Sequence, residues 1–184
     1  MGTRDILIVS DIHEKSQRLK ELLEYRQKLL KPGEVLNVIC LGDGLESLFG
    51  YSKYDEIISY TVKGNCDMGV NFTPLGEEIP IYRTIVLGNY KIFMTHGHRF
   101  GVKEDRDELC RMASMEKADI VLFGHTHAKA LEYIEKGSIR GVDRKLTLFN
   151  PGALNDFEGS FGNLSLSDNG FLLSHGKYTN IHNK

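Results

Sequence analysis

Seven residues offer metal-binding side chains in recurring local patterns. They are Asp11 and His13 in "SDIH", Asp43 in "GDG", Asn65 in "GNCD", His96 in "THGH", and His125 and His127 in "GHTH". The seven supply carboxylate, amide and imidazole donors and no thiolate, a set that suits divalent cations of intermediate hardness. Seven donors are too many for one tetrahedral zinc and fit two five- or six-coordinate cations sharing a bridging carboxylate. In an extended backbone His125 and His127 would point the same way, because side chains alternate with period two. Each motif alone is weak, since Asp, Asn and His commonly decorate turns. The set is stronger, because five of the seven histidines fall inside these motifs, close to glycine or aspartate. His175 and His182 lie outside them and read as surface or tail histidines.

These donors need elements to place them. "DILIVS" (5–10) reads as a buried strand, and the leucines of "EKSQRLKELLEYRQKLLKPG" recur at helical spacing until Pro32-Gly33 stops the helix. "VLNVICL" (35–41) is a second buried strand, so the chain opens with a strand–helix–strand unit typical of an α/β fold. "TVKGN" (61–65) reads as a short strand ending in a turn. "IPIYRTIVLGNYKIFMTHG" reads as a hairpin turning at Gly88-Asn89. "KEDRDELCRMASMEKA" (103–118) is an amphipathic helix and "DIVLFG" a strand. From residue 129 onward strands dominate, with the last two joined at "DNG" (168–170). The pattern predicts two mixed β-sheets packed together with helices outside, in one domain spanning 1–184. Nearly every unusual polar residue then falls at the C-terminal end of a strand, where ligand sites gather in open α/β sheets.

Composition narrows the function. The chain has 184 residues, 41% hydrophobic and 26% charged, ordinary values for a globular protein with a real core. A net charge of −2 argues against a protein that lives on nucleic-acid backbone contacts. No apolar run approaches the roughly 20 residues of a membrane span. The N-terminal segment lacks a signal-peptide layout, and the myristoylation pattern at Gly2 fails, so a cytoplasmic location is expected. Cys40, Cys66 and Cys110 have no CxxC spacing and read as reduced thiols.

"DIH", "GDG", "GNCD", "THGH" and "GHTH", in that order and spacing, resemble the five motifs of the calcineurin-like metallophosphoesterases. The likeness runs from residue 5 to about 175 and is nearest to the small stand-alone phosphodiesterases of bacteria and archaea; "FNPGAL" (149–154) resembles the family's late Asn-Pro-Gly turn. The resemblance implies a four-layer α/β sandwich of two mixed sheets flanked by helices. It implies that Asp11, His13 and His127 hold one cation, that Asn65, His96 and His125 hold a second, and that Asp43 bridges them. The chain departs from the phosphatase and nuclease branches at Cys66, where those branches carry the histidine that helps protonate the leaving group. A thiol is a poorer match to neutral pH than an imidazole. His98 is the alternative acid or phosphate ligand, with Asn65 beside it. Asp67 either orients a ligand or caps a turn.

The expected chemistry is phosphoester hydrolysis, most simply of a phosphodiester. Two cations clamp the phosphate, and the hydroxide shared between them attacks phosphorus in line with the leaving oxygen. Mn²⁺ is the first choice, with Fe, Co, Ni and Zn also fitting the donors. The expected substrate is a small diester, in one version nucleotide-derived. Phe49, Tyr51 and Tyr54 could stack on a base, although packing is the commoner use, and Arg99 and Lys103 could meet a phosphate. Late strands leave room for a homo-oligomer. A second class stays open: the same fold resembles a retromer scaffold subunit that binds proteins and has lost some metal ligands, whereas every ligand position is filled here.

Overall fold

The computed structural model describes residues 4–182; Gly2 and the side chain of His182 lie outside the described part. Two five-stranded sheets face each other. The first contains β1 (Arg4–Val9), β2 (Leu36–Cys40), β3 (Ile57–Thr61), β9 (Ser160–Ser167) and β10 (Gly170–Lys177), in the order β10-β9-β1-β2-β3. The second contains β4 (Tyr82–Leu87), β5 (Tyr90–Thr95), β6 (Ile120–Leu122), β7 (Ala130–Ile134) and β8 (Leu146–Asn150), in the order β4-β5-β6-β8-β7. Among the described residues three α-helices, α1 (Ser16–Lys28), α2 (Leu45–Phe49) and α3 (Asp107–Met115), and two short 3-10 turns at Tyr54–Glu56 and Tyr178–His182 complete the regular structure. This is the expected four-layer α/β sandwich of two mixed sheets.

The alternation of each strand shows why four layers form. In β1, Ile6 and Ile8 face the second sheet, where Ile92, Met94, Ile120, Leu122 and Phe149 complete a core between the sheets. Leu7 and Val9 point the other way, against Leu19, Leu22 and Leu23 of α1. On the far side, Phe93, Val121 and Leu148 meet Leu109, Cys110 and Ala113 of α3. A strand covered on both faces must be apolar throughout, which is why "ILIV" and "VICL" carry no alternation. The sheets approach closely at Gly162, where a Cβ would lie 2.5 Å from Phe149 Cε1.

Each sheet contains three consecutive parallel strands. β1, β2 and β3 form one parallel set, and β5, β6 and β8 the other. The hairpins fall where the sequence places them: Leu87 pairs with Tyr90 across Gly88-Asn89, and Ser167 with Gly170. Three boundaries differ. The strand expected at 61–65 lies earlier, at Ile57–Thr61, because the β-branched run before it pairs with all of β2; residues beyond Val62 turn away to form the loop around Gly64. α3 starts at Asp107, since Gly101 at φ 58° commits residues 101–104 to turns. α2 was not foreseen, because five residues are too few to show a helical period.

The loop after β2 and the loop after β3 are joined by one side chain. The buried carboxylate of Asp67 accepts N–H bonds from Asp43 (2.8 Å), Gly44 (2.8 Å), Leu45 (3.0 Å) and Gly64 (2.8 Å). The two roles weighed for Asp67 are thus one: capping the first turn of α2 also fixes the main chain of Asp43. Hydrogen bonds to a charged acceptor contribute about 1.5–3 kcal/mol each, less when they share one group. Asp67→Ala should therefore lower the unfolding free energy by about 3–5 kcal/mol in urea denaturation. A loss below about 1 kcal/mol would show that the loops hold without this carboxylate.

Candidate metal centre

The parallel strands of both sheets end at one crevice. Asp11 and His13 follow β1, Asp43 follows β2, Asn65 to Asp67 follow β3, His96 and His98 follow β5, and His125 and His127 follow β6. The crossing hydrogen bonds are direct. Asp11 N–H reaches Gly42 O at 3.1 Å, Ile12 and His13 N–H reach Asp43 O at 2.8 and 2.9 Å, and Gly124 N–H reaches His96 O at 3.1 Å. Holding these turns forces unusual backbone. Asp11, His13, Asp43, His125 and His127 all have φ between 47° and 67°, and the only other non-glycine residue with positive φ among those described is Lys117. Left-handed geometry costs about 1–2 kcal/mol for an L-residue. Five of the seven predicted donors bear that strain.

Each of the two aspartates divides its oxygens between two tasks. Asp11 Oδ2 accepts from Ser10 Oγ–H at 2.7 Å and from His125 N–H at 3.1 Å, leaving Oδ1 buried without a hydrogen-bond partner. Asp43 Oδ1 accepts from Cys66 N–H at 2.7 Å, leaving Oδ2 towards the crevice. Imidazoles converge on the two outward oxygens. His127 Nε2 lies 3.2 Å from Asp11 Oδ1, His96 Nε2 3.3 Å from Asp43 Oδ2, and His13 Nε2 4.0 Å from Asp43 Oδ2. His96 donates its Nδ1–H to Leu41 O at 2.8 Å, so its Nε2, buried and without a hydrogen-bond partner, is the nitrogen turned to the crevice. A tautomer fixed from behind in this way is the usual arrangement of a metal-binding histidine.

Two glycines make the approach possible. A Cβ on Gly64 would collide with Asp43 Oδ1, and one on Gly124 would collide with Ser10 Oγ and come within 3.0 Å of Asp11 Oδ2. Asn150, buried at the end of β8, donates to Gly124 O at 3.0 Å and Thr126 Oγ1 at 3.1 Å, fixing the loop that bears His125 and His127. His175 is exposed, as expected for a surface histidine, yet it stacks on Phe149 and donates to Asn150 O at 2.8 Å. Ser10 and the supporting roles of Asn150 and His175 were not seen in the sequence. The Asn-Pro-Gly turn was the one local signal for Asn150.

The remaining predicted residues lie on the open side. His125 sits 5.0 Å from the His96 ring and His98 5.5 Å from it, centroid to centroid. Burial lowers the affinity of both for a proton; His96 and Arg99 add to this for His98, and His96 and Lys103 for His125. Both imidazoles are thereby kept neutral. Asn65 and Cys66 are exposed, with Asn65 Nδ2 donating to Cys66 Sγ at 3.2 Å. Desolvation, followed by the nearby Asp43 carboxylate, pushes the Cys66 thiol up to about 11. Cys40 and Cys110 are buried free thiols, as expected. Burial works against a charge on Asp43, but His96 and the Cys66 N–H hold its carboxyl well below the usual range.

A cleft of about 410 Å³ opens beside the centre, lined by His13, Glu14, Asp43, Glu46, Ser47 and Cys66 among others. The aromatic residues of 44–55 are not its walls. Phe49 and Tyr54 meet edge to face at 5.5 Å, and Tyr51 is buried with its hydroxyl donating to Gln27 Oε1 at 2.8 Å. They hold α2 against α1 and are not free to stack on a base. Arg99 and Lys103 are exposed and do not line this cleft. A second cleft of about 490 Å³ starts at His127 and runs past Lys129 and Phe157.

The donors fit divalent cations. Asp11, His13 and His127 offer atoms within 4.8 Å of one another, as do Asp11, Asp43 and His96. Two buried donor atoms, Asp11 Oδ1 and His96 Nε2, have no hydrogen-bond partner, and cations in the crevice would satisfy both.

Known proteins agree with this geometry. A model of the calcineurin-like phosphoesterase superfamily domain matches residues 5–168. Vacuolar protein sorting-associated protein 29 of Schizosaccharomyces pombe is 33% identical over 123 residues, 66% of this chain and 62% of that protein, so the match spans less than two thirds of the relative's length. YsnB of Bacillus subtilis, a probable metallophosphoesterase, is 28% identical over 152 residues, 82% of this chain and 75% of its own. A Streptococcus pneumoniae crystal structure described as a predicted phosphoesterase superposes with a TM-score of 0.68 at 24% identity, covering 97% of this chain and 91% of that one. With a family match across most of its length and the two sheets such proteins share, the chain belongs to the calcineurin-like phosphoesterase superfamily.

Proposed function

We propose that the protein is a dinuclear metal-dependent phosphodiesterase acting on a small diester. The observation that carries this reading is the pair of buried donor atoms without a hydrogen bond, Asp11 Oδ1 and His96 Nε2, facing the same crevice as Asp43 Oδ2. Asp11, His13 and His127 would hold one cation, Asn65, His96 and His125 the other, and Asp43 would serve both. Mn²⁺ fits these oxygen and nitrogen donors, as do Fe, Co, Ni and Zn. Bound there, the two cations supply Lewis-acid charge for phosphate oxygens and a water acidified towards neutral pH.

The chain's own groups do the rest. His98, kept neutral, donates an N–H to a phosphoryl oxygen, and the Asn65 amide offers a second donor at the cleft mouth. The Cys66 thiol, pushed up to about 11 without a cation beside it, is too weak an acid to serve a departing alkoxide at neutral pH. This favours diesters whose leaving group departs without strong protonation. Glu14 and Glu46 on the cleft wall oppose a long polyanion, which supports a small, for example nucleotide-derived, diester over nucleic acid. No helix among the described residues is long and apolar enough to cross a membrane, and the reading places the enzyme in the cytoplasm. The edge strands β3, β4, β7 and β10 leave pairing surfaces for a homo-oligomer. A second reading, a protein-binding scaffold of the same fold, is favoured by the likeness to vacuolar protein sorting-associated protein 29.

Chelator-stripped protein should hydrolyse a chromogenic phosphodiester only after Mn²⁺ is restored. Asp43→Ala and His125→Ala should each lower that rate by about two orders of magnitude or more. No turnover with Mn, Fe, Co, Ni or Zn would sink the hydrolase and leave the scaffold. A second outcome follows from His96. Burial acts against its charge, but the Asp43 and Asp11 carboxylates prevail and raise it above the ordinary imidazole value. A proton therefore competes with the cation for Nε2 at neutral pH and stops competing as pH rises. Mn²⁺ affinity by calorimetry should climb as pH rises above the ordinary imidazole value of about 6.5, with more protons released per cation at the lower pH. Equal affinity and no proton release throughout would show that His96 is not a ligand.

A further inference from the structure

Cys66 differs from the other two cysteines. Cys40 and Cys110 are buried in apolar clusters, whereas Cys66 is exposed and lines the cleft beside the metal centre. Its Sγ, a ring nitrogen of His13 and a carboxylate oxygen of Asp43 all lie within 4.8 Å of one another. The backbone is pinned in place, since Cys66 N–H donates to Asp43 Oδ1 at 2.7 Å and Gly64, two residues earlier, abuts the same carboxylate. The sulfur already accepts an N–H from Asn65 Nδ2 at 3.2 Å, the kind of bond that steadies a metal-bound thiolate from behind. Asp43 is shared with the neighbouring position, where the fully buried His96 Nε2 lies 3.3 Å from its Oδ2, so the triad of His13, Asp43 and Cys66 adjoins that position through one carboxylate.

We propose that Cys66 is a ligand to the cation held by His13 and Asp43, and that its sulfur biases that position towards Zn²⁺ or Co²⁺ over Mn²⁺. Imidazole, carboxylate and thiolate together make a zinc-type donor set, whereas Mn²⁺ prefers oxygen. Donors 2.0–2.3 Å from a tetrahedral ion stand about 3.3–3.8 Å apart, so closing the triad needs a shift of about 1 Å, within reach of a rotation about χ1 of an exposed side chain. Binding forms one metal–sulfur bond and releases the thiol proton to solvent; no oxidant or reductant is involved. The two positions then differ in kind. The one built on Asn65, His96 and His125 keeps only oxygen and nitrogen donors, and the one built on His13 gains sulfur. The inference rests on the metal-binding part of the proposed function and not on hydrolysis.

Cobalt distinguishes the cases, because thiolate ligation adds a near-ultraviolet charge-transfer band that oxygen and nitrogen ligands do not. Chelator-stripped wild-type protein titrated with Co²⁺ should show that band together with the visible bands of bound cobalt. Cys66→Ser and Cys66→Ala should both lose the charge-transfer band and keep the visible bands, and their preference for Co²⁺ over Mn²⁺ should fall by about tenfold. Cobalt bound to wild type without the near-ultraviolet band overturns the proposal, as does a band that survives in both variants. If no cobalt binds to any of the three proteins by equilibrium dialysis, the metal centre itself fails along with the proposal. If the band behaves as expected but no diester is hydrolysed, only the proposed activity fails.

Discussion

Two carboxylates brought side by side in a buried crevice repel, and the centre is organised around offsetting that repulsion. Asp11 and Asp43 are both almost fully buried, and His96 Nε2 lies 3.9 Å from one and 3.3 Å from the other. Isolated buried charge is costly enough that such groups are paired, protonated or bound to cations. Here each carboxylate uses one oxygen to accept backbone or hydroxyl hydrogens, which fixes its orientation. The other oxygen is left facing its counterpart. Only a positive charge between them relieves both at once, so the protein prepares a place for a cation in the act of folding.

That preparation is supported from a distance. Five left-handed non-glycine residues at about 1 kcal/mol or more each amount to some 5 kcal/mol, comparable with the whole net stability of an ordinary domain. The strain persists because the loops cannot relax independently. Each is tied to the next: β1's loop to β2's through Asp43 O, β2's to β3's through Asp67, β5's to β6's through Gly124 N–H, and β6's to β8's through Asn150. Behind them the strands are buried on both faces, so no strand end can shift without opening the core between the sheets.

The layered fold and the convergence of the candidate donors were legible because both leave local marks. Buried parallel strands are continuous apolar runs, and a donor directly after each run, bracketed by glycine, shows where the chain turns into a shared crevice. What escaped notice depends on contacts between distant segments. α2 is too short for a period and exists because Asp67, more than twenty residues later, caps it. His175 reaches the site only through Asn150 of another strand, and Ser10, although it bonds its own neighbour Asp11, sits in no pattern that marks it. The 44–55 aromatics were ambiguous for the same reason: whether they pack or project depends on α1, and Gln27 on α1 takes the Tyr51 hydroxyl.

Burial divides the ligands into two groups with different duties. The side chains of Asp11 and His96 are 0% exposed and that of Asp43 3%, whereas His13 is 26% and His127 41% exposed. The buried three are preset by hydrogen bonds from behind and cannot adapt, so they decide where charge sits. The outer ones, with Asn65 and Cys66, can swing by a rotamer and, in the proposed centre, would decide which ion is held. The cleft beside His13 and Glu14 opens on these adaptable donors, with the rigid carboxylates behind them. Variation at an outer position should therefore disturb the fold less than variation at an inner one, which removes the charge balance on which the loops are built.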